Sequence, residues 1–310
     1  MRPIPGLTDL RGSPPAFLAA NAHAFTRTDL MGAWSRHALD AALRRGQALR
    51  LLPGVYCAPA HAMEALVRAE GAVLWNPRTA LTGAAALHLY AERLAAPATV
   101  DLVAASSDHV RPPAWIRLHQ TGPLRTLASP HGIPCAVPER ALLDSWRYAS
   151  TGERRTVLWE ALWARVCTWR ELRRELDRAP RVAKRRDLER VLDWFAEGAT
   201  SPLEVRAKHE TFADARFREF EWQVPVALPM RRPTLDMLHR RALVAVELDG
   251  DAYHSTRSAR DVDRERQTDL TAAGYTVIRF GWTDITQRPE WCRQRLLATV
   301  AGRLARLGRH

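Results

Sequence analysis

Asp236, Glu247 and Asp249, followed at short distance by His254, are the residues of this chain whose types and spacing can do chemistry. They lie in the segment PTLDMLHRRALVAVELDGDAYH, Pro233 to His254. Leu235 and Met237 alternate with polar positions, as do Val244, Val246 and Leu248, which is the period of two strands joined by a polar turn. A turn centred on Arg240-Arg241 sets Asp236 opposite Ala245, with the nearest of Glu247 and Asp249 a diagonal neighbour on the same face. Three carboxylates on one face are costly unless a cation or solvent compensates them. A hard divalent ion, Mg²⁺ or Mn²⁺, takes such oxygen ligands and suits phosphodiester hydrolysis. The plainer reading is an edge hairpin whose polar face meets water.

Around this core, four motifs follow in order: SPLE (Ser201 to Glu204), LD…VELDG…H, DRERQTDL (Asp263 to Leu270) and AAGYTVIRF (Ala272 to Phe280). The series, from about Ser201 to Val300, resembles the PD-(D/E)xK nuclease superfamily, in particular its very-short-patch-repair-like endonuclease domains. The resemblance implies a restriction-endonuclease-like α/β/α domain that hydrolyses DNA. It implies Asp236 and Glu247 as metal ligands, with Glu204 and Asp249 assisting beside them. The superfamily pattern has lysine where this chain has Asp249, and the whole chain holds only Lys184 and Lys208. In the repair-endonuclease relatives a histidine in the following loop serves as base, and His254 stands at the matching position. A histidine can do this near neutral pH; the alternative is a loop histidine with no role.

The elements that must carry these groups are legible too. Ser201 and Pro202 open a helix, and serine followed three residues later by Glu204 is also a capping box, an ordinary structural reading for that glutamate. Lys208, one turn on, can face the same site or form a surface ion pair. Arg260 to Ala273 reads as an amphipathic helix ended by Gly274, with Asp263, Arg266 and Leu270 on one face. Leu270 belongs to the core. Arg266 either meets a scissile phosphate or lies on a solvated face. Tyr275 to Phe280 is the next strand, and places Arg279 near the carboxylates.

At the other end, a short helix is expected from Thr26 or Arg27, and Ser35 caps a second helix that runs to about Arg45. Leu49–Leu52 and Val55–Cys57 flank the turn dipeptide Pro53-Gly54. Helix, turn, helix and wing is the order of a winged helix-turn-helix. Its second helix offers Arg36, His37, Asp40 and Arg44 outward, an edge fit for a DNA major groove. With GVY at the wing, ALTGAAALHLY (Ala80 to Tyr90) and GIPCAVPERALLDSW (Gly132 to Trp146), the region resembles type IV abortive-infection antitoxins, the AbiEi-like DNA-binding regulators. That resemblance implies DNA as partner, and a cognate toxin or a homodimer besides.

Thr99–Ala104 and Trp115–Gln120 read as strands. Ser106, Ser107, Asp108 and His109 lie in a turn without a nucleophile motif, and His119 and Gln120 have no better claim. Arg147 to Phe195 is helical, its tryptophans at 159, 163, 169 and 194 packing residues. The domains expected are an arm over 1–20, a winged helix-turn-helix over 21–62, a middle region over 63–196 and a nuclease-like domain over 197–310, with Glu197–Thr200 as hinge. The fold class is α/β in the mixed α+β sense.

Composition narrows the partners. The net charge of +12 favours a polyanion. Cys57, Cys135, Cys167 and Cys292 are far apart, which argues against a zinc site or disulfide framework and fits a reducing cytoplasm. No apolar leader or membrane-length run is visible. Two functions stand: a metal-dependent DNA endonuclease with an antitoxin-like DNA-binding module, or a non-enzymatic regulator that keeps an inactive nuclease fold. An RNA-directed nuclease is a third.

Overall fold

The structure is a computed structural model that describes residues 12–104, 111–120, 125–150, 152–197, 201–249 and 257–308, with backbone only over 257–263. The chain divides into two compact units between Leu188 and Glu189.

The first unit opens with helix α1 (Pro14–Ala20), where the sequence reading expects a loose arm. Pro14 and Pro15 sit in its first turn, where the missing N–H costs nothing, and residues 1–11 of the expected arm lie outside the described residues. Leu18 is fully buried in a cluster with Phe25, Leu30, Leu39 and Tyr56. Then come β1 (Phe25–Thr26), α2 (Arg27–Met31), α3 (Arg36–Arg44), β2 (Leu49–Leu52) and β3 (Val55–Cys57), with sheet order β1-β3-β2. Thr26 and Asp29 form a reciprocal capping box on α2, and Ser35 Oγ accepts from Ala38 N to start α3. The two helices and the hairpin thus follow in the expected order. Leu39 and Ala42 face inward while Arg36, His37 and Arg44 are exposed.

The same unit continues with α4 (Ala65–Trp75), β4 (Thr79–Thr82), α5 (Gly83–Tyr90), β5 (Val100–Ala104), β6 (Ile116–Gln120), β7 (Thr126–Ala128) and β8 (Pro134–Ala136). Helices α6 (Pro138–Tyr148), α7 (Glu153–Trp163), α8 (Trp169–Arg178) and α9 (Arg185–Ala196) follow. The sheet order is β6-β5-β4-β8-β7, with every residue of β4 and β5 buried. Of the tryptophans expected to pack, Trp159 is wholly buried and the other three half-buried. The division between units falls inside α9, ahead of the boundary expected at 197. The last turn of α9 serves the following segment: Trp194 stacks on His209 with ring centroids 4.7 Å apart.

The second unit holds α10 (Pro202–Arg206), which runs into a π-helical turn over Ala207–Thr211, then β9 (Glu221–Pro225), β10 (Thr234–His239) and β11 (Val244–Asp249). Helix α11 (Arg257–Ala272), β12 (Thr276–Gly281), α12 (Trp282–Gln287) and α13 (Pro289–Leu307) complete it. The sheet order is β12-β11-β10-β9, with β11 and β12 parallel and the other pairs antiparallel. β11 is therefore an interior strand, buried over Val244–Leu248, and not the edge of a free hairpin. One face packs Leu238, Ala245 and Val277 with Leu270 of α11. On the other, Phe280 meets Phe212 and Trp291 of α13 at ring centroid distances of 5.9 and 6.0 Å. No helix among the described residues is long and apolar enough to cross a membrane.

The β10–β11 register corrects the expectation. Met237 pairs with Val246 and Leu238 with Ala245, two residues from the alignment that a turn centred on Arg240-Arg241 gives. The connection takes four residues, Arg240 to Leu243, with Leu243 in the left-handed region at φ 50° and His239 Nδ1 accepting from Ala242 N at 3.1 Å. A shift of two keeps each side chain on its face. It also carries Asp236 from the diagonal to a place directly across from Glu247.

Candidate active site

Asp236 sits on interior strand β10, half-buried, and its two oxygens have separate donors. Leu248 N donates to Oδ2 at 2.8 Å and Gln223 Nε2 donates to Oδ1 at 3.2 Å. Both donors are neutral. Burial raises the pKa of this carboxyl, and the nearby charge of Glu204 pushes the same way. The two donated hydrogen bonds and the more distant Arg266 oppose that rise without cancelling it.

Glu204 comes from α10. Ser201 Oγ caps that helix by accepting from Glu204 N at 3.2 Å, and its hydroxyl donates to Glu204 Oε1 at 3.0 Å. The N-cap half of the expected capping box is thus present, while Glu204 Oε1 takes the Ser201 hydroxyl in place of the reciprocal backbone bond. The second oxygen, Oε2, accepts from Gln223 Nε2 at 3.0 Å. One carboxamide nitrogen thus joins Glu204 to Asp236. Nothing in the motif series points to Gln223. Only the register of β9 against β10, in which Val224 faces Leu235 and Trp222 faces Met237, brings it there.

Glu247 has different company. Arg266 Nη2 lies 2.9 Å from Oε1 and Arg279 Nη2 3.1 Å from Oε2. Arg279 Nη1 also approaches Asp249 Oδ2 at 3.6 Å, and Arg266 Nη2 donates to Thr234 O at 2.9 Å. The acids expected to need a cation are partly compensated from within. Parallel pairing sets Arg279 directly opposite Glu247, and α11 brings Arg266 over the same face. Arg266 is thus a half-buried partner of Glu247 and not a member of a solvated face.

Lys208 does not join the cluster. Its Nζ donates to Glu197 Oε2 at 2.9 Å, the surface ion pair that was the alternative for it. His254 lies outside the described residues, as do Gly250, the serine-histidine turn at 106–109 and residues 198–200 of the expected hinge; the side chain of Asp263 does too. His119 Nε2 meets Asp101 Oδ1 at 2.7 Å and its ring stacks on Tyr148, a packed arrangement within the first unit. The four cysteines are buried, and burial lifts the Cys57 thiol to about 11 and those of Cys135, Cys167 and Cys292 to about 12.

Donor chemistry at the cluster is that of a hard ion, since every acidic ligand offered is a carboxylate oxygen. Glu204 and Asp236 converge on a single nitrogen, Gln223 Nε2. Among the described residues, no three acidic, histidine or cysteine side chains converge as a ligand group.

Residues 215–300 match the family model REase_MTES_1575. The second unit therefore carries a restriction-endonuclease-like domain. The matched segment contains Gln223, Asp236, Glu247, Asp249, Arg266 and Arg279, and begins after Glu204. No curated protein matches the chain. Among solved structures, the chain is similar to the RV2827C protein from Mycobacterium tuberculosis, with 16% identity over 67% of this chain and 82% of that one, at a TM-score of 0.39.

Proposed function

We propose that the second unit hydrolyses DNA phosphodiesters with a divalent cation, Mg²⁺ or Mn²⁺. The observation that carries this reading is the restriction-endonuclease-like match over residues 215–300, which contains Asp236, Glu247 and Asp249. Asp236 and Glu247 are the metal ligands, and Glu204 and Asp249 assist. When bound, such an ion supplies Lewis-acid charge to the scissile phosphate and acidifies water. Arg266 and Arg279 hold Glu247 in the resting protein. Their planar forks match phosphate oxygens as well as carboxylates, so they are the groups to bind the phosphate and offset its developing charge. His254 is the acid–base group of this reading.

The first unit supplies the targeting surface. The exposed Arg36, His37 and Arg44 on α3 form the DNA-contacting edge of a winged helix-turn-helix module of antitoxin type. Asp40 tempers that edge, lying 3.6 Å from both Arg36 and Arg27. A second reading, a regulator without cleavage, is favoured by the two arginines on Glu247 and by Asp249 in the place of lysine. A cognate toxin or a second copy of the chain would then be its protein partner.

A cleavage assay on supercoiled, mismatched and single-stranded DNA separates the two. With Mg²⁺ or Mn²⁺ the wild type should nick or cut at least one substrate, and Asp236→Asn and Glu247→Gln should abolish it. Metal-independent cutting that survives both substitutions would reject the site. No cutting of any substrate, with DNA still bound, would favour the regulator.

A further inference from the structure

Gln223 is exposed on the edge strand β9, yet its backbone sits at φ 52°. A residue with a Cβ rarely takes this left-handed conformation, because the Cβ crowds the following carbonyl oxygen. Pairing does not demand it. Trp222 faces Met237 and Val224 faces Leu235, so the register is the same on both sides and no residue is inserted. What accompanies the strained backbone is the aim of the side chain, with Nε2 3.0 Å from Glu204 Oε2 and 3.2 Å from Asp236 Oδ1. Strain held at one residue, whose side chain joins two acidic groups from separate elements, points to a role in the site.

We propose that Gln223 is a positioning residue and a reversible ligand of the carboxylate site. Its amide N–H group holds Glu204 and Asp236 on one point while no cation is present, and its amide oxygen turns in when one is. The second half rests on the metal-dependent reading above. The terminal torsion of glutamine is broad and roughly two-fold, so half a turn exchanges donor for acceptor without moving the backbone. An amide oxygen is an ordinary ligand for a hard cation. Neither a lysine nor a glutamate can play both parts: the first lacks an acceptor, the second a donor.

Calorimetric Mn²⁺ titration and metal-free thermal melts of the full chain test this. Gln223→Ala should weaken Mn²⁺ binding by roughly 10–100-fold, the loss typical of groups that support metal ligands. Gln223→Gly keeps the left-handed backbone without a Cβ and should show the same loss, which separates the amide from the strain. Gln223→Glu should bind Mn²⁺ at least as tightly as wild type yet melt lower without metal, because a third carboxylate then replaces the donor. A residue needed only for folding cannot give that opposite pair. Wild-type affinity in the alanine and glycine variants, or weakened binding in the glutamate variant, would overturn the ligand role. If the wild type binds no Mn²⁺, the metal reading falls and the ligand role with it. The clamp is then judged by the metal-free melts, and a glutamate variant melting at or above wild type overturns it.

Discussion

Asp144 in the first unit and Asp236 in the second are both aspartates withdrawn from water, but their surroundings differ. Asp144 is wholly buried and receives Arg140 Nε at 2.9 Å, Arg147 Nη1 at 2.8 Å and the Thr82 hydroxyl at 2.9 Å. Nearby Asp101 is treated likewise, with Arg117 donating twice at 2.9 Å and His119 at 2.7 Å. Asp236 instead has a backbone N–H and a carboxamide, and its pKa is raised. The first pattern is that of a structural ion network, complete in itself. The second leaves a carboxylate held by neutral donors beside another acid, the charge that the proposed cation would compensate. Burial alone does not separate the two cases; the charge of the donors does.

The largest expected effect breaks the complete network. Asp144→Ala removes the carboxylate that two guanidinium groups with little access to water share, leaving Arg140 beside Glu175 and Arg147 on Arg181 O, and should cost about 3–5 kcal/mol in urea unfolding of the first unit. A loss below about 1 kcal/mol, the range of exposed pairs, would show that this network is not the structural one.

Gly83 sharpens the same contrast by its backbone. It stands at φ 59° where β4 enters α5, and an added Cβ would come 3.4 Å from Asp101 Oδ2. Gly83→Ala should cost about 1–2 kcal/mol for the left-handed conformation alone. An unchanged denaturation midpoint would mean that the turn relaxes freely.

Asp236→Asn should cost about 1 kcal/mol without metal, because its amide oxygen can accept from only one of the two neutral donors, Leu248 N or Gln223 Nε2, and its NH2 group then meets the other. Its pH dependence has a definite sign. A carboxyl whose folded pKa is raised contributes stability at acid pH, below its unfolded value, and loses it as pH rises through the folded one. The variant lacks that loss, so it should gain on wild type between pH 4 and pH 8. Urea midpoints that diverge in the opposite direction would assign Asp236 to the structural class.

The smallest effect is a surface control. Arg216 holds the carboxyl of exposed Asp214 down to about 2 by donating from Nε at 3.0 Å and Nη2 at 2.7 Å. Arg216→Ala should return that carboxyl to the usual range in an NMR titration and leave the melting temperature unmoved. A clear drop in melting temperature would undo the distinction between exposed and buried pairs on which the comparison rests.

Much of this was legible in the residues. Alternation over Leu235–Met237 and Val244–Leu248 located both strands, and Ser35, Pro53-Gly54 and Gly274 located helix starts, a turn and a helix end, because these are local preferences of backbone and side chain. Where the reading failed, non-local packing won. Residues 14–20, at the end of the expected arm, formed a helix because Phe17 and Leu18 found a core, and the β10–β11 connection widened to four residues where His239 could accept from Ala242 N.

The sequence by itself determined the acidic motif, the positive charge, the order of helices and strands, and the face on which Asp236 and Glu247 lie. All of these follow from residue type and short-range period. Tertiary structure alone decided which partner each acid has. Arg266 and Arg279 reached Glu247 through a helix crossover and a parallel strand, and Gln223 reached Asp236 and Glu204 across an antiparallel edge. Those pairings join residues 13 to 32 positions apart, a separation at which sequence spacing no longer fixes distance and only the register of the sheet does.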